Sequence, residues 1–132
     1  MQALTIKQPW ASAIAAGHKR IENRSWRPAA ASLPLQFAVH AGARVDHAGI
    51  TFCRDLGAPV EDLPISAILA VATVVQVLEA SDDPWWFGPF GWVLEDVVPI
   101  EPIPCAGRLS LWTPAPAIQR LLRCRLAAAR RQ

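Results

Sequence analysis

The segment Leu63–Leu78 constrains this chain more than any other. It reads LPISAILAVATVVQVL, the longest apolar run in the sequence. Pro64, Ser66, Thr73 and Gln76 interrupt it, so it falls short of a membrane span. Its β-branched content marks a buried strand. Ordinary strands run about five or six residues. Ala67–Glu79 exceeds that, which predicts a bent strand in a barrel-like sheet.

The other elements are shorter. Ala3–Lys7 reads as a first strand with Leu4 and Ile6 on one face. Pro9 and Gly17 bracket a short helix, proline suiting its first turn and glycine its end. Gly17–Arg24 is a turn leading into a strand, and Pro28 to Pro34 a loop. Leu35–His40 alternates as a strand should. Arg44–Leu56 has helical spacing at Val45, Ala48, Phe52 and Leu56, and Gly57 stops it. Strands are predicted at Gly91–Val98 and Arg108–Thr113. A basic helical tail starts near residue 115, with Ile118, Leu121, Leu122 and Leu126 as its apolar stripe.

The order β-α-β-β-α-β-β-β-α is no βαβ alternation, which argues against a doubly wound fold. The expected class is α+β, mainly β: one domain over 1–132, with five or six strands and about three peripheral helices. A chain of 132 residues with 52% hydrophobic and 18% charged residues is not intrinsically disordered. The net charge of +2 is too balanced to predict a polyanion binder by itself. Cys53, Cys105 and Cys124 form no C-x-x-C pair, and an odd count suggests no disulfide framework. Trp10–Ala16 lacks a secretory layout. Reduced thiols and a cytoplasmic location are the expectation.

Four clusters carry candidate chemistry. Lys7-Gln8-Pro9-Trp10 lies at a strand-to-helix junction, where a phosphate would meet free N–H groups and Trp10 would stack on a base. The same residues also fit a core tryptophan beside a solvated lysine. Lys19, Glu22 and Arg24 form the second cluster. A Lys/Glu pair can transfer protons when burial shifts one member. Strict strand geometry, however, puts Lys19 and Glu22 on opposite faces, leaving Glu22–Arg24 as a surface ion pair. They share a cleft only if Lys19 is still in the turn or a bulge intervenes.

The third cluster is the aromatic loop Trp85-Trp86-Phe87-Gly88-Pro89-Phe90-Gly91-Trp92, either a base-stacking platform or the plug of a barrel end. Trp86 and Trp92 are expected to differ in burial. The fourth is the tail with Arg120, Arg123, Arg125, Arg130 and Arg131, a solvated helix face or a phosphate contact. His18, His40 and His47 share no metal-ligand spacing, so no metal or cofactor is expected. Of the three, only His40, at a strand end near Gly42, is a site candidate.

The run Leu4-Thr5-Ile6-Lys7-Gln8-Pro9-Trp10-Ala11-Ser12, then Gly17-x-Lys19-x-x-Glu22-x-Arg24, resembles the ASCH domain (activating signal cointegrator homology), whose signature is G-x-K-x-x-E-x-R. Trp26, His40-Ala41-Gly42, Gly91-Trp92-Val93-Leu94-Glu95 and Gly107…Leu111-Trp112 extend the likeness along nearly the whole chain. The resemblance implies a small PUA-like β-barrel, related to folds that bind RNA or modified bases, with the signature residues in its cleft.

Some bacterial members that look similar are amidohydrolases of acetylcytidine. In them a Lys matching Lys19 and a Thr at the position of Glu22 act with a later Glu. Here Glu22 replaces that Thr, so a nucleophilic-Thr mechanism does not transfer; Glu79 and Glu95 are the candidates for the later Glu. Other members resemble ribonucleases or plain nucleic-acid binders, and the Q-P-W-A-S opening looks closer to the coactivator-like branch.

The first reading is therefore nucleic-acid or nucleotide binding, RNA ahead of DNA. Lys7, Lys19 and Arg24 contact phosphate, Trp10 and Trp86 stack, and Glu22 with Gln8 reads a base edge. The alternative is a small hydrolase acting on a modified nucleoside or RNA, with Lys19 and Glu22 as proton-transfer groups and His40 as helper. A third reading is a protein-interaction module built on the tail helix.

Overall fold

The computed structural model describes all of residues 1–132. Its elements in chain order are β1 (Gln2–Gln8), α1 (Trp10–Ala15), β2 (Ile21–Arg24), a 3-10 turn at Ala30–Ser32, β3 (Leu35–Val45), α2 (His47–Asp55), β4 (Ala67–Leu78), β5 (Phe90–Pro104), β6 (Leu111–Trp112) and α3 (Pro116–Arg130). The expected order of six strands and three helices is what forms. The strands make one mixed sheet, ordered β2-β5-β4-β3-β1-β6. Only β1 and β3 pair in parallel.

The length of β4 is accommodated by bulges. Its register against β5 shifts between Ile68 and Ala70, Val71 and Thr73, and Val74 and Gln76. A bulge adds a residue and bends the strand. The first one shows in the core. Ile68 and Val71 face one core cluster, whereas Leu69 and Ala70, adjacent in sequence, both face the other. The sheet bends around α1, whose Ala11 and Ile14 pack with Leu4, Phe37, Val39, Ala72 and Trp92. On the other face, Leu122 of α3 packs with Ala3, Ala38, Ile68, Ile103 and Trp112.

Two differences from the sequence expectations have physical causes. β5 continues past Val98 through Pro99, Pro102 and Pro104. Its partner β2 pairs only with Phe90–Val93, so the later half of β5 lies at an edge, where proline's missing N–H leaves no ladder bond unmade. The expected barrel is realised as a curled sheet whose ladder has two ends. The gap is spanned by a side chain: Arg24 on β2 donates from Nη2 to the Thr5 carbonyl on β1 at 2.9 Å. No helix is long and apolar enough to cross a membrane.

Candidate functional site

The curl leaves a cleft of about 960 Å³ lined by residues from β1, β2, β3, the aromatic loop and the segment before β6. At its base lies the cluster Lys19, Glu22 and Arg24. Lys19 is still in the turn preceding β2, so its long side chain folds back over Ile21. Its Nζ donates to the Ile21 carbonyl and lies 3.0 Å from Glu22 Oε1. The other carboxylate oxygen, Oε2, accepts from Arg24 Nε at 2.9 Å. Lys19 and Glu22 are 2% and 5% exposed. Glu22 is thus an anion held between two cations, the arrangement that makes a buried charge tolerable. Arg24 bridges from Glu22 to β1, which ties the signature to the closure of the curl.

Five cationic side chains line the cleft, Lys7, Lys19, Arg24, Arg44 and Arg108, against two carboxylates, Glu22 and Asp46. The excess of three positive charges exceeds the +2 of the whole chain. Lys7, Arg44 and Arg108 are exposed and take part in none of the ion pairs. Asp46 is committed locally: it caps α2 by accepting from the Gly49 N–H, and its Oδ2 accepts from Trp10 Nε1 at 3.1 Å.

His40 is 1% exposed and sits in a hydrogen-bonded chain. Its Nε2 is 2.8 Å from the Cys105 carbonyl, which can only accept. Nε2 therefore carries the proton and Nδ1 accepts from the Thr5 hydroxyl at 3.1 Å. Thr5 Oγ1 in turn accepts from Trp112 Nε1 at 3.0 Å. Burial lowers the His40 pKa, opposed by the bond to Cys105. A Cβ on Gly107 would come within 2.5 Å of Thr5 Oγ1 and 2.7 Å of His40 Cε1, so glycine is required there for this chain to pack.

The cleft brings together Lys7, Trp10, Lys19, Glu22, Arg24 and His40 from the sequence candidates. Gln8 and Trp86 lie elsewhere. Gln8 is fully buried; its Nε2 donates to Ser12 Oγ and to the Pro64 carbonyl, both at 2.7 Å. Its Oε1 accepts the Ser12 N–H at 3.0 Å, so the amide is fully engaged within the protein and covers the start of α1 where a phosphate was expected. Trp86 donates from Nε1 to the Leu78 carbonyl and lies so close to Gly88 and Gly91 that a Cβ on either would meet its ring at 2.7 and 2.5 Å. Trp92 is fully buried, whereas Trp86 is partly exposed, the difference expected.

Glu79 and Glu95 are exposed and absent from the cleft lining. No tail arginine reaches the cleft either. Arg125 donates to the Glu101 and Pro102 carbonyls, and Arg130 pairs with Asp96. Sequence reasoning missed Arg44, Arg108, Asn23 and Phe87, all of them in the lining. Phe87 lay within the flagged aromatic loop, but nothing in that run distinguished it from its neighbours.

A curled mixed sheet plugged by a short helix, with a cation-rich cleft over a buried Lys–Glu–Arg cluster, defines a small α+β domain with a ligand-sized cleft. The chain belongs to the ASCH domain family, whose profile matches residues 4–91. A structure of ASCH from Zymomonas mobilis is similar with a TM-score of 0.59 at 16% identity, over 92% of this chain and 93% of that one. A Tyr-to-Phe mutant of that protein gives 0.59 and 16%, over 92% and 96%. A Ser-to-Ala mutant gives 0.56 and 16%, over 93% and 94%. At such identity the likeness is one of fold. No curated protein matches the sequence.

Proposed function

We propose that this domain binds single-stranded RNA in the cleft as a binding module, with exposed cations on the phosphates. The observation that carries the reading is the charge distribution: the cationic excess of a nearly balanced chain gathers in one opening. Phosphate contacts from Lys and Arg supply most of the affinity of such interfaces. Lys7, Arg44 and Arg108, the exposed cations of the lining, are the contacts in this reading. Lys19 and Glu22 hold the base of the cleft rather than touch phosphate.

Binding is preferred to hydrolysis because the cleft's proton-transfer candidates already have partners. Both Glu22 oxygens accept from cations, and both His40 nitrogens are engaged. A general base must reach the proton that it abstracts, and here such a proton competes with cations already on both Glu22 oxygens and with the Thr5 hydroxyl on His40 Nδ1. The test is incubation with short single-stranded RNAs and modified nucleosides, acetylcytidine included, followed by mass spectrometry of both product and retained ligand. Retained, unaltered RNA is expected. Turnover of either class would replace binding with the hydrolase reading; neither retention nor turnover would remove both.

A further inference from the structure

Resting on the RNA reading, we propose that Phe87 is the base-stacking residue of the cleft and that Asn23 is the positioning residue that presents it. Phe87 lines the same opening as Lys7, Arg24, Arg44 and Arg108 and is 53% exposed, unusual for a ring set in an aromatic cluster. Its neighbours support it without covering it. Trp10 and Phe52 lie 6.0 and 5.3 Å away at interplanar angles of 69° and 65°. These are edge contacts, so no ring is stacked parallel on Phe87. The other stacking candidates are more enclosed: Trp10 lines the cleft but is half-buried, with Phe52, Trp85 and Phe87 around its ring and Gly49 against it, and Trp86 packs on Gly88 and Gly91 outside the lining.

Asn23 occupies the unspecified position between Glu22 and Arg24 in the signature. Its Oδ1 accepts the backbone N–H groups of Phe87 at 2.7 Å and Gly88 at 3.0 Å. Its Nδ2 donates to the Trp85 carbonyl at 2.9 Å. One side chain thereby fixes the loop on either side of the exposed ring and links it to the strand that carries Glu22 and Arg24. A ring held rigidly beside cations is the arrangement that takes an unpaired base while its phosphates are neutralised nearby. The cleft volume is that of a small-ligand pocket, which suits one or a few nucleotides rather than a duplex.

The experiment is calorimetric titration of a tetraadenylate RNA, and of the ribose-phosphate tetramer lacking bases, into wild type, Phe87→Leu, Phe87→Trp, Asn23→Ala and the Phe87→Leu/Asn23→Ala double variant. Thermal melting first confirms that each variant is folded. Phe87→Leu should weaken tetraadenylate about tenfold, the scale of one lost stacking face, and leave the base-free tetramer within about twofold. Phe87→Trp should bind as wild type does. Asn23→Ala should weaken tetraadenylate alone, and the double variant should be no weaker than Phe87→Leu, since the two residues act as one unit.

If Phe87→Leu binds tetraadenylate as wild type does, or weakens both tetramers equally, the assignment of Phe87 is overturned. Additive losses in the double variant would overturn the positioning role of Asn23. Wild type binding both tetramers alike would leave phosphate recognition standing and remove base stacking. Wild type binding neither would remove the RNA reading and the proposal together.

Discussion

Lys19 Nζ lies 3.0 Å from Glu22 Oε1, with both side chains almost wholly enclosed. Because Arg24 holds the other oxygen, the two partners of this bond are unequally placed. Removing Glu22 leaves two cations facing one another, one of them buried. Removing Lys19 leaves a carboxylate that still has an arginine.

The first prediction follows from that inequality. Glu22→Gln should destabilise the fold by roughly 3 kcal/mol or more, the scale of a broken buried pair. Lys19→Met, which keeps much of the stem, should cost less. Urea unfolding of the two variants measures this; equal losses, or a larger one for Lys19→Met, would mean that Glu22 is not the centre of the cluster.

The second concerns pH. His40 is neutral in the native chain, and burial lowers its pKa from the ordinary 6.5. Below 6.5 the unfolded chain takes up a proton that the native chain resists, so stability rises with pH in this window. The contribution is complete above 6.5 and is lost as pH falls from 6.5 towards the folded value. His40→Gln should flatten the loss of stability between pH 7 and pH 5, read from urea midpoints. A profile in the His40 variant as steep as that of wild type would remove His40 as its cause.

The third separates the cleft from the tail. If Lys7, Arg44 and Arg108 each neutralise one phosphate, the log–log salt slope for single-stranded RNA should be about −2, at roughly −0.7 per phosphate. Arg108→Ala should reduce it by about one such step. Deleting residues after Leu126 removes Arg130 and Arg131 but no residue of the cleft, so slope and affinity should stay as they are. The lost Arg130–Asp96 pair is largely exposed and is worth little. A slope that drops on truncation would move the interface to α3.

The fold was largely legible because its signals are local. Alternation gave β3, proline and glycine bracketed α1, and the excess length of β4 implied a bend that the bulges supply. The extension of β5 was not legible, since Pro99 stops an interior strand and only the short span of β2 makes it an edge. Within the cleft, Lys19 and Glu22 meet because a flexible side chain returns over Ile21, which strand parity does not describe. Gln8 stands beside the right residues in sequence but turns its amide inward. Arg108 and Phe87 reach the cleft from loops, whose direction no periodicity encodes. The same holds for Asn23, whose role depends on contacts more than 60 positions away.

The central claim is that RNA occupies the cleft between the cationic rim and the aromatic loop. Titrating the isotopically labelled protein with tetraadenylate RNA, and following backbone amide resonances, tests it most directly. The largest shifts should fall at Lys7, Asn23, Arg24, Arg44, Phe87 and Arg108, with α3 undisturbed. Shifts confined to α3 and the outer half of β5, or none at saturating RNA, would contradict it.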